Sequence, residues 1–153
     1  MKTRKIAITF LSAMLFVSGF IAQGQAAQPA RAKAKEAYLP KKTLQLALRG
    51  YEDALRVDLS STIATSGVFQ AMRFKLAYPN LNYSKIISAL IRVSLQAEAP
   101  ELRHNAQVTA CVMANPEAYL SAEEIAQLSN FTEETREDFF ALLNAKVLKT
   151  ATK

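Results

Sequence analysis

The only histidine, His104, is the side chain best suited to moving a proton near neutral pH. Glu101 stands three residues before it, where a carboxylate one helical turn away can orient an imidazole for acid–base work. No serine or cysteine in a nucleophile motif accompanies the pair. An ordinary surface histidine is therefore the expectation. The one cysteine, Cys111, follows seven residues later, and one His with one Cys at that spacing is not a zinc pattern. There is no Cys-x-x-Cys-His for haem attachment and no glycine-rich phosphate loop. Between Ala110 and Val112 the thiol is expected to be buried and inert. The adjacent carboxylates Glu52-Asp53, Glu123-Glu124, Glu133-Glu134 and Glu137-Asp138 point about 100° apart on a helix, so they do not converge as a dyad. They read as helix starts and solvated faces. The expectation is no catalytic residue, no metal site and no cofactor.

One segment suits recognition rather than reaction. Tyr78, Asn80, Asn82 and Tyr83 crowd the loop Tyr78-Pro-Asn-Leu-Asn-Tyr83, where aromatics beside amides form a candidate partner surface. The alternative is that the tyrosine rings simply pack over the loop. Asn82-Tyr-Ser84 and Asn130-Phe-Thr132 match the N-glycosylation pattern, although loop and cap roles already account for them.

The elements that must hold these residues are helices. No stretch sustains a two-residue alternation, and only four glycines occur in 153 residues. Apolar positions recur at three- and four-residue steps from about Lys41 to Val57, Thr62 to Ala77, Tyr83 to Ala97 and Pro100 to Ala114. In the third of these, Ile86, Ile87, Leu90, Ile91 and Leu95 are expected to face inward. Pro79 and Pro116 stop the helices before them. Pro100 opens the fourth, where a missing N–H costs nothing. Ser121-Ala-Glu-Glu124 is a capping box, and a last helix begins near Thr132.

The N-terminus has a different character. Lys2, Arg4 and Lys5 precede an uncharged apolar run, Ile6 to Ala22, and Gly24-Gln-Ala26 offers small residues for a cut after Ala26. Those parts make residues 1–26 an expected export signal, with an uncleaved membrane anchor as the alternative. Residues 27–40 read as a flexible basic leader, and 41–153 as a single all-helical domain. The expected location is across the membrane, periplasmic or extracellular. Of the formal charge of +6, the signal and leader supply most, so nucleic-acid binding loses its electrostatic warrant. The rest is polarised: Lys41 to Arg92 holds eight basic and three acidic residues, and Glu98 to Asp138 nine acidic and two basic. Such a surface orients a partner, pairs head to tail with another copy, or merely solvates two faces.

Helices one and two also match helices three and four. Shifting Tyr51 and Leu55 by 40 residues lands on Ile91 and Leu95; shifting Ile63, Gly67, Ala71 and Met72 by 39 lands on Leu102, Ala106, Ala110 and Cys111. A helical pair recurring at about 40 residues is the period of HEAT and armadillo arrays. The stretch Pro100-Glu-Leu-Arg-His-Asn-Ala106-Gln-Val-Thr-Ala110 resembles the second helix of a HEAT motif in its proline, its Leu102-Arg103 pair and its two alanines. The first unit departs from it, with Ser60 and Ala64 at the proline and arginine positions. The resemblance spans units of about 42–79 and 83–116, with C-terminal helices at about 121–150. It implies stacked antiparallel hairpins and a non-enzymatic surface that binds protein. The alternative fold is a simple four- to six-helix bundle. The alternative functions are a membrane-surface protein held by its N-terminal anchor, and an enzyme using His104.

Overall fold

The computed structural model describes residues 39–152 as six α-helices, with no strand among them. Pro40–Lys153 form one compact unit. The expected export signal lies outside the described residues, as does all of the expected basic leader except Leu39 and Pro40.

Helix α1 runs Lys41–Ala54, capped by Pro40, whose carbonyl accepts from Thr43 and Leu44. It stops three residues short of the expected Val57. There Arg56 and Asp58 pair side chain to side chain at 2.8 Å, and turn bonds replace the helical ladder. Helix α2, Ser61–Ala77, starts where Ser60 Oγ accepts from the Ile63 amide. Helix α3 is Ser84–Gln96, and α4 is Pro100–Ala114 with proline in its first turn. A 3-10 turn, Pro116–Ala118, leads to α5, Ala122–Ser129. Its capping box closes both ways: Ser121 Oγ accepts from the Glu124 amide, and Glu124 Oε2 from the Ser121 amide at 2.7 Å. The segment after Thr132 opens as a 3-10 turn, Glu133–Thr135, before α6, Arg136–Ala151.

Short loops make α1 with α2, and α3 with α4, antiparallel neighbours. The two hairpins then lie side by side, α1 against α3 and α2 against α4. The result is two layers. Helix α5 packs on α2 and α6 packs on α4, so the second layer is covered. Gly67 and Ala106, the small residues expected at close approaches, are both buried. A Cβ on Gly67 would meet Ala54 Cβ at 3.2 Å and the Ala54 carbonyl oxygen at 3.3 Å, so the glycine lets α2 sit tightly against the end of α1. Helix α6 is fastened to α2 by phenyl rings: Phe69 of α2 meets Phe139 edge-on at 4.9 Å, and Phe140 lies 6.3 Å from the same ring.

Two expectations are corrected here. Ile91 and Leu95 do not face inward; they are 48% and 74% exposed. The buried face of α3 is Ile86, Ala89, Leu90 and Val93. In burial, Leu44 corresponds to Ile86 and Leu55 to Ala97, a step of 42 residues rather than 40. The two-residue difference turns a helix by about 200°, which carries the matched positions from core to solvent. Cys111 is likewise exposed, not buried. It shares a stripe with His104 and Gln107, while its apolar sequence neighbours Ala110 and Val112 point to other sides of α4 and are buried.

Two substitutions test this packing. Gly67→Val forces a branched side chain against the Ala54 backbone and should cost about 1–3 kcal/mol in urea unfolding. Thr109 carries a buried hydroxyl with no partner. Thr109→Val keeps the shape and removes the orphaned group, so it should raise stability by about 1 kcal/mol in the same measurement.

Candidate functional site

The loop between α2 and α3 is built around an inward tyrosine. Pro79 ends α2, which leaves its last carbonyls short of helical partners. Tyr83 is buried beneath that end. Its hydroxyl lies 2.8 Å from the Tyr78 carbonyl oxygen and 3.1 Å from that of Phe74, so its one proton serves two acceptors. Phe74 stacks between Tyr51 at 5.2 Å and Tyr78 at 4.8 Å. Lys75 donates to the Pro79 carbonyl at 2.9 Å and holds its ammonium 4.8 Å from the Tyr83 ring centre. Burial pushes the Tyr83 and Tyr51 phenols above their ordinary value.

Of the four residues expected at a partner surface, the structure therefore turns Tyr83 inward and leaves Tyr78 half-buried. Asn80 and Asn82 are exposed, and the Asn82 side-chain Oδ1 already accepts from the Ser84 amide at 2.9 Å. The loop is a helix stop sealed by an aromatic plug, with the Asn80 side chain and the Tyr78 edge as what it presents.

His104 is exposed, and its Nε2 sits 3.0 Å from Asn144 Oδ1 on α6. With the amide oxygen as acceptor, the ring nitrogen donates. Glu101 makes no bond to it among the described residues, so the imidazole is oriented by a neutral amide and not by a carboxylate. Cys111 shares its stripe, on a helix whose other sides face the core. Among the described residues no three His, Cys, Asp or Glu side chains converge as metal ligands. Of the adjacent carboxylates, Glu124 and Glu133 are engaged. Glu124 pairs with Lys146 of α6, which holds its carboxyl below the ordinary carboxylate range. Glu133 accepts from Gln70 of α2 at 3.0 Å and pairs with Arg136.

Sequence reasoning missed a groove of about 510 Å³ where the α1–α2 loop meets the α3–α4 loop. Arg56, Leu59, Ser60, Gln96 and Glu98 line it, over a floor that includes Ala64 and Val93. Arg103 fixes one wall: its Nη1 donates to the Ala97 and Glu98 carbonyls at 2.8 and 2.9 Å, which satisfies groups freed at the end of α3. Both loops were visible in the sequence as breaks. Their meeting was not, because it depends on which hairpin face packs on which.

No protein-family model, curated protein or solved structure matches this chain. Among the described residues no helix is long and apolar enough to cross a membrane.

The buried phenol sets a pH dependence. Tyr83 titrates at a higher pH folded than unfolded, so its contribution is complete below its ordinary value of 10.0 and is lost as pH rises beyond it. Thermal unfolding of the parent should weaken steeply in that alkaline range, and Tyr83→Phe should flatten the loss. At neutral pH the same variant should cost about 1 kcal/mol for the lost hydroxyl contacts.

Proposed function

We propose that this chain is an exported, non-enzymatic protein of HEAT-like helical pairs that acts as a protein-binding or adaptor module. The observation that carries the reading is the side-by-side pairing of two hairpins, which brings successive loops together at one end and leaves a groove of about 510 Å³ between them. Loops displayed by a rigid helical frame are where such proteins present binding residues. The groove mixes aliphatic carbon from Leu59 and Val93 with the polar ends of Arg56, Ser60, Gln96 and Glu98, a composition suited to an extended segment of another polypeptide. Support for export comes from the basic, apolar and small-residue pattern of residues 1–26. Support for a non-enzymatic role comes from His104, whose ring meets an amide instead of an acid–base partner.

A photo-crosslinking amino acid at Leu59 should yield a discrete adduct with a polypeptide of the exported fraction, and the same group at the exposed Leu148 of α6 should not. No adduct at Leu59, or equal labelling at both, would defeat the binding role. N-terminal sequencing of the purified mature chain should begin at Ala27.

A further inference from the structure

The cations of the first two hairpins fall into two groups. Between Lys41 and Arg92 there are eight. Three are engaged: Arg56 with Asp58, Arg73 over the Phe69 ring at 5.4 Å, and Lys75 with the Pro79 carbonyl. The remaining five, Lys41, Lys42, Arg49, Lys85 and Arg92, all stand on α1 or α3 and are exposed. None of them makes an ion pair with another described residue. The only carboxylates on these two helices are Glu52 and Asp53, in the last turn of α1.

The same layer carries aliphatic side chains in solvent. Leu46 is 59% exposed on α1, beside Lys42 and Arg49 on the helix surface. On α3, Ile91 and Leu95 follow Ser88 at three- and four-residue steps and flank Arg92. Because α1 packs on α3, and both back onto the α2/α4 layer, these solvent faces look the same way. Helices α5 and α6 cover the other layer, and no described helix covers this one.

We propose that the outer face of the α1/α3 layer docks on an anionic lipid bilayer, its five cations at the phosphates and Leu46, Ile91 and Leu95 in the headgroup boundary. The chemistry is that of an interfacial amphipathic surface, where aliphatic insertion and attraction to acidic lipid add together. Nucleic acid would use the cations but leave the three aliphatic side chains in water. A protein interface of comparable strength would be expected to centre on aromatic anchors, and none is exposed here. The sequence before α1 points the same way. Arg31, Lys33 and Lys35 extend the positive charge. The inference is independent of the groove and its polypeptide partner.

The test uses the mature chain, beginning at Ala27, with a spin label at one cysteine. In one form Ser88→Cys is introduced with Cys111→Ser; in the other the native Cys111, on the exposed stripe of α4, carries the label. On vesicles of phosphatidylcholine mixed with phosphatidylglycerol, the label at Ser88 should be shielded from a water-soluble relaxation agent and exposed to oxygen. The label at Cys111 should remain in water. On phosphatidylcholine alone both labels should stay in water. Arg49→Gln and Arg92→Gln should each reduce the docking equilibrium about fivefold, and added salt should reduce it in the unsubstituted chain. The proposal falls if the Ser88 label stays in water on acidic vesicles, or if it is shielded equally by neutral ones. It also falls if the label is shielded before lipid is added, which would give the face to a second copy of the chain.

Discussion

Phe69 is where the α2/α4 layer meets the helix that covers it. Its ring is fully buried in α2, meets Phe139 of α6 edge-on, and supports the Arg73 guanidinium on another side. With one cysteine the chain has no internal disulfide to hold a long helical domain together. Apolar contact must do so, and the phenyl cluster extends it beyond the hairpins. Phe131 joins at 5.8 Å from Phe139 and Phe140 at 5.4 Å, so the α5–α6 connection is pinned to the same point. Around it, polar links run between the same elements: Gln70 to Glu133, Arg73 toward the Ser129 carbonyl, and Lys146 to Glu124. These exposed links add direction more than stability.

That packing divides the surface into two characters. Covering the α2/α4 layer with α5 and α6 removes its apolar residues from water and ties down Arg73. The α1/α3 layer receives no such cover, and its cations and aliphatic side chains stay in solvent. The acidic residues of Glu98 to Asp138 fall largely on α5, α6 and the turns before them. The charge polarity of the sequence thus becomes a polarity of the folded body, with the α1/α3 layer basic and α5 and the turns on either side of it acidic.

How much of this was legible depended on whether a signal was local. The Ser121 capping box, the proline at the start of α4 and the stops before Pro79 and Pro116 need only neighbours in sequence, and each helix end falls at or near them. The inward side of α3 was misread because five aliphatic residues span more than one face, so periodicity alone could not say which of them had a neighbouring helix. Cys111 was misread by its apolar sequence neighbours, although residues one apart on a helix face different ways. At the candidate loop the residue types were right for contact, but the Tyr83 ring is buried beneath the end of α2, where its hydroxyl bonds the Phe74 and Tyr78 carbonyls.

The order of residues by itself determined an all-helical domain, the places where its helices begin and end, and the segregation of positive from negative charge along the chain. These follow from backbone capping, proline geometry and side-chain period, which act within a few residues. The tertiary structure decided which face of each helix met another. It therefore decided that Ile91 and Leu95 are in water, that two distant loops enclose a groove, and that His104 answers to Asn144. Those outcomes rest on close packing between hairpins, where a shift of two residues exchanges core for solvent.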